Sequence, residues 1–148
     1  MRRLVLALLL CGCAAAPRLP QAPIPLRNPT APVASQADVT QARLGGDWVV
    51  VQGAGLAPGA RLRFSEGAMS LDGVNMPLAE TGAGRYAVGG QTLWIHWLDA
   101  DNRTAAVGDP GGARVWIMDR TGHPGERLTA AREILEWYGY DLRRLDGR

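Results

Sequence analysis

His96 and His123 are the side chains best suited to proton transfer or metal ligation near neutral pH. One stands in an apolar run and the other in a Gly/Pro loop, and no His-x-x-x-His spacing joins them. Ser35, Ser65 and Ser70 are candidate nucleophiles by type only, because none has the flanking glycines of a nucleophile elbow. Asp99 with Asp101, and Glu133 with Glu136, read as a turn and a helix face rather than a glycosidase pair. The residue types therefore assemble no catalytic constellation. The expectation is a protein without chemistry of its own, needing neither cofactor nor metal.

Cys11 and Cys13 remain. Met1-Arg2-Arg3 is a short basic stretch, and the apolar run from Leu4 to Leu10 is too short to span a bilayer. The run ends in Leu10-Cys11-Gly12-Cys13, which resembles a bacterial lipobox with small Gly12 at the cleavage point. That resemblance implies a leader over 1–12 and an acylated N-terminal Cys13. Ala14, standing where Asp would retain the protein in the inner membrane, points to the outer membrane. The mature chain would then hold no free thiol and no disulfide, so a packed core alone must support the fold.

Lysine is absent, and removal of Arg2 and Arg3 with the leader leaves basic and acidic residues equal in number. A neutral chain offers no basic stripe for nucleic acid, which is set aside as a partner. Prolines recur between Pro17 and Pro32 without helix or strand periodicity. The reading for 13–44 is a tether in which the sixteen residues from Pro17 to Pro32, extended and polyproline-like, could hold a domain roughly 50 Å from its anchor, at about 3.1 Å per residue.

The domain that would position any site spans 45–120. Runs over 48–52, 61–65, 68–71, 74–79, 85–88, 92–98, 103–107 and 113–119 carry strand patterning, nearly all joined by hairpin-type turns such as Asp72-Gly73. Pro77 marks an edge or a bulge. Eight short strands in a meander predict a sheet that closes on itself, with a sandwich as the structural alternative. A helix over 126–138 places Leu128, Ala131, Ile134, Leu135 and Tyr138 on one face, with Gly139 at its C-cap. That face must pack on the outside of the sheet, and 121–148 is read as helix and tail.

In this order the residues resemble the bacterial outer-membrane lipocalins of the apolipoprotein D-like branch. Gly46-Asp47-Trp48 is similar to the signature opening the family's first strand. Leu98-Asp99 to Arg103 is similar to its turn between the sixth and seventh strands, with Asn102 where an aromatic is usual. Val115 to Thr121 is similar to its last strand ending in Arg120. The resemblance implies a mainly β fold, an eight-stranded antiparallel up-and-down barrel with one C-terminal helix outside. It also implies that Trp48 lies inside the closed end beneath Arg120, with Gly46 and Asp99 as structural signature residues. The span from Gly46 to Arg120 is 75 residues, short for the family, so the calyx should be shallow.

Strand parity then assigns faces. An inward Trp48 brings Val50 and Gln52 inward, and an inward Arg120 brings Met118, Trp116 and Arg114. Leu93, Ile95 and Trp97 are assigned to the interior and Trp94 and His96 to the outside, with the opposite parity left open by the pattern. With Tyr86, these residues would wall a cavity suited to an acyl chain, or else fill a small core. Arg114, nearest the mouth, would meet a ligand head group or, more simply, stand solvated beside a glycine turn. The expected function is noncovalent binding of a small apolar ligand, a fatty acid or lysophospholipid, for storage or transport at the envelope. The membrane would be the second partner, through acylated Cys13. Two alternatives are a periplasmic protease or lysozyme inhibitor built on a small barrel and an assembly protein using the barrel to dock. Oligomeric state is not legible.

Overall fold

The computed structural model describes residues 13–147, so the expected leader over 1–12 lies outside the described residues. Eight strands form a closed antiparallel barrel: β1 Gly46–Ala54, β2 Arg61–Ser65, β3 Ala68–Leu71, β4 Val74–Gly82, β5 Arg85–Val88, β6 Gln91–Leu98, β7 Thr104–Gly108 and β8 Val115–Asp119. Each pairs with the next, and β8 closes on β1. A one-turn helix α1, Gln41–Leu44, precedes the barrel, and α2, Arg127–Trp137, follows it. The turns after β2, β4 and β6 lie at one end with the start of β1, here termed the closed end. Those after β1, β3, β5 and β7 surround the other, the mouth.

Local chemistry accounts for much of this. Asp72 and Gly73 both adopt positive φ, +48° and +84°, as a tight two-residue hairpin turn with right-handed strand twist requires. In β2 every second residue is buried, giving Leu62 and Phe64 to the interior and Arg61 and Arg63 to solvent. Strands β7 and β8 are buried at every position. Their inner residues Ala105, Val107, Trp116 and Met118 join the barrel core. Their outer residues Ala106, Val115 and Ile117 lie with Ala131 and Leu135 of α2. Two-faced burial explains why those strands read as continuous apolar runs.

Two bulges break the expected parity. In β1 the pairing with β8 slips between Val50 and Gln52, so Val51 and Gln52 both face outward. Gln52 is thus not an interior residue; its amide donates to Gly147 O and accepts from Arg132 on α2. In β6 the pairing with β7 slips between Ile95 and Trp97. His96 and Trp97 then both lie outside, and Leu98 returns to the interior. Trp97, assigned to the cavity wall by alternation, is corrected to the outer cluster beneath α2. The extra residue of a bulge shifts all following side chains by one face.

The Pro-rich segment is also corrected. Only 13–18 are uniformly exposed, whereas Leu19, Leu26, Arg27 and Val39 are buried. Residues 19–39 form a strap that crosses the mouth and runs down the barrel wall to α1. Arg27 fixes its middle, donating to the carbonyls of Tyr138, Pro110 and Ala31. Gln36 takes up backbone groups flanking the β6 bulge, through Gln36 N to Ile95 O (2.9 Å) and Leu98 N to its own Oε1 (2.8 Å). Apart from the turn at 28–31, the extended Pro-rich chain has no regular internal hydrogen bonding, which leaves its other backbone groups free for these contacts.

Candidate functional site

The barrel interior is the candidate site, and each of its ends is sealed differently. At the closed end Arg120 Cζ lies 3.7 Å from the Trp48 ring centroid. Its guanidinium donates to Gly45 O (2.6 Å), Arg43 O (2.9 Å) and Asn102 O (3.0 Å). Trp48 Nε1 donates to Leu44 O at 2.7 Å, tying the indole to α1. Gly46 has φ +99°, and a Cβ there would stand 3.1 Å from an Arg120 nitrogen. The glycine therefore serves both the turn and the approach of the guanidinium.

The 99–104 turn beside it is held by one carboxylate. Asp99 accepts from Arg103 N, Thr104 N and Arg127 Nε. Asn102 adopts φ +56°, a left-handed conformation that asparagine tolerates, and its amide oxygen accepts from Arg43. Buried Asp119 accepts from Thr104 Oγ1, Thr121 and His123 N. Burial pulls Asp99 and Asp119 upward, but these hydrogen bonds outweigh it and hold both below the ordinary aspartate value of 3.8.

Val50, Tyr86, Leu93, Ile95, Trp116 and Met118 line the interior, joined by Leu62, Phe64, Met69, Met76, Leu78 and Val88. These side chains fill the barrel, each almost wholly buried. One polar atom stands among them without a hydrogen-bond partner in the protein, the Tyr86 hydroxyl. Burial, helped by the charge of Glu80, pushes its pKa up to about 12, so it stays protonated at neutral pH.

The mouth is closed by the strap. Leu19 enters the barrel core, and Gln91 brackets it, accepting from Leu19 N (2.6 Å) and donating to Leu19 O (3.4 Å). Arg114, expected to be solvated or to await a head group, is 1% exposed. It donates to Pro20 O (2.9 Å) and Thr92 O (3.4 Å), and meets Asp109 Oδ2 at 3.3 Å. Burial lowers its pKa, while Asp109 opposes that shift. The strap supplies the carbonyl that replaces water, a partner that no local reading of β8 contains.

Leu19, Gln91 and Val39 were missed by the sequence reading, since they lie in an aperiodic segment and at a turn. Phe64 and Leu62 were legible in the alternation of β2.

The prominent clefts of the described residues lie on the outer surface. One, lined by Asp101, Asn102, Arg103, Arg120, Thr121 and Arg127, contains arginines already engaged by carboxylates or carbonyls. Outside the barrel His96 is enclosed between the strap and the C-terminal segment. Its Nδ1–H donates to Ala34 O (2.7 Å), and its Nε2 accepts from Tyr140 Oη (2.8 Å). Tyr140 Oη in turn occupies the space beside Gly108, where a Cβ would come within 2.5 Å of it. His123 is exposed in its loop. Among the described residues, no group of three His, Cys, Asp or Glu side chains is placed to hold a metal ion.

Cys13 is exposed. In comparisons with known proteins, no family model and no curated protein matches the chain.

Proposed function

We propose that the chain is a lipocalin-like envelope protein, anchored through an acylated Cys13, that binds one slender apolar ligand carrying a polar group. A fatty acid or lysophospholipid fits this description. The observation that carries the reading is the unpartnered Tyr86 hydroxyl in an otherwise apolar barrel. A buried hydroxyl without a partner costs about 1–3 kcal/mol, and an uncharged ligand oxygen, the ester of a lysophospholipid or the protonated carboxyl of a fatty acid, would remove that cost. Because the hydroxyl stays protonated, it would act as the donor.

Binding requires space. Met69, Met76 and Met118 lie in the core, and their unbranched thioether side chains can change rotamer at modest cost. The strap must also leave the mouth, withdrawing Leu19 from the core and releasing Gln91 and Arg114. On this reading the strap is the gate and the methionines are the adaptable wall.

Three measurements test it. Mass spectrometry of the full chain extracted from membranes should find a co-purified fatty acid or lysophospholipid. Tyr86→Phe should weaken fatty-acid binding about fivefold to tenfold, the loss of one hydrogen bond, while tryptophan quenching still reports residual binding. Leu19→Asp, which places a charge where the core admits none, should raise the rate of ligand uptake several-fold; an unchanged rate would exclude the strap as gate.

Absence of lipid together with absence of quenching would reject the proposal. The filled interior then favours a second reading, a barrel that acts through its outer surface as an inhibitor or docking module.

A further inference from the structure

Among the described residues, the large apolar side chains that remain exposed are Ile24 at 64%, Val74 at 50% and Trp137 at 72%. They come from three unrelated elements, yet all stand at the mouth end. Val74 follows the 72–73 turn, two residues from Met76, whose side chain lies under the 89–90 turn. Ile24 lies between Ala22 and Leu26, whose amides donate to Ala113 and Gly112 of the 109–114 turn. Trp137 ends α2, and the next carbonyl, Tyr138 O, accepts from Arg27, which also donates to Pro110 O in that same turn.

At the closed end the described residues expose no large apolar side chain. That end carries the ion pairs Asp47–Arg63, Asp38–Arg43 and Arg127–Asp101 at its surface. The mouth end has pairs of its own, Arg114–Asp109 and Arg143–Asp141, with Arg144 on the carbonyls of Ile24 and Pro25, and beside them presents isolated apolar tips on opposite sides of the ring. Three such points define a face.

The same end is where the chain emerges. Leu19 is fixed in the mouth, and 13–18 are exposed beyond it. Six residues at 3.3–3.6 Å each reach no more than about 20 Å. An acyl chain on Cys13 would therefore hold the mouth close to the lipid surface, not at the distance a free tether of 13–44 would allow. Tryptophan and aliphatic side chains are the residue types that enter the interfacial layer.

We propose that the mouth end docks on the lipid bilayer, with Trp137, Ile24 and Val74 entering the interfacial region. The proposal rests on the anchor reading for the exit of the chain, while the apolar face stands independently of it. In this orientation the strap opens toward the membrane, so an apolar ligand passes between bilayer and barrel without crossing water.

The test uses the full chain in vesicles of phosphatidylcholine and phosphatidylglycerol, with brominated phosphatidylcholine as the quencher. Trp48 and Trp116 are enclosed in the barrel and Trp94 and Trp97 are half-buried on its wall, so the exposed Trp137 should account for most of the quenching. Trp137→Phe should remove at least half of the quenched signal. Ile24→Asp with Val74→Asp should reduce the remaining effect several-fold without changing the circular dichroism spectrum. Quenching that is equal in all variants, or absent, would overturn the docking. Intact mass reports acylation separately. If no acyl group is present, the chain is added to preformed vesicles and the same quenching is read, so failure of the anchor and failure of the face are seen apart.

Discussion

Trp48→Ala should lower the unfolding free energy by about 3–5 kcal/mol, read as a shift of the urea midpoint at unchanged slope. The indole is fully buried, bonds to Leu44 O and carries the Arg120 guanidinium on its outer face. Truncation removes apolar burial, opens a cavity at the barrel floor and leaves the guanidinium without its ring. Arg120→Leu acts through the same closure by a different route, because it retains the ring but strips the donors from Gly45 O, Arg43 O and Asn102 O. It should cost about 2–3 kcal/mol, since these are charge-assisted hydrogen bonds at a partly desolvated site. The double variant should fall short of the sum of the two single costs, because each single change already breaks the shared contact. Strict additivity would mean that ring and guanidinium contribute independently, and the floor would not be one unit.

Acidification should weaken the fold through His96. Burial first, with the nearby charge of Arg27, lowers its pKa from 6.5 to about 4, against the opposing hydrogen bond to Ala34. In the unfolded chain the imidazole takes a proton near 6.5, so between those values the unfolded state binds more protons than the folded one. Stability is therefore complete above about 6.5 and declines as the pH falls toward 4, where the folded state also protonates. The gap is worth about 3 kcal/mol. Urea midpoints measured at pH 7, 6, 5 and 4 should show this decline in the native sequence. His96→Gln, which keeps polar groups facing Ala34 and Tyr140, should be less stable at pH 7 and nearly flat over the same window. An equal slope in the variant would place the proton uptake elsewhere. Asp99 and Asp119 add a separate loss lower down, because their carboxylates are held below 3.8 and their contribution disappears as they protonate.

Several elements could be read without coordinates because their signals are local. The Asp72-Gly73 hairpin, the alternation of β2 and the apolar face of α2 each depend on residues within a few positions of one another. So does Gly139, whose φ of +86° ends α2 in the conformation a glycine permits. Closure of the sheet was legible as well, since a meander of eight short strands leaves exposed edges unless first and last meet.

The amino-acid sequence by itself determined the strand count, the turns, the helix and the apolar character of the interior. Tertiary structure decided which side chains reach that interior. The bulges at 50–52 and 95–97 belong to pairs of strands in register, so Gln52 and Trp97 left the barrel for reasons that no single strand contains. The strap was decided in the same way. Leu19, Leu26 and Arg27 follow no period, and their places are set by carbonyls and crevices on distant turns and on α2. Arg114 is buried for the same reason, because the group that satisfies it arrives from Pro20, at the other end of the chain. Local propensity acts over a few residues, whereas register and docking are settled by the free energy of surfaces that meet only after the chain has closed.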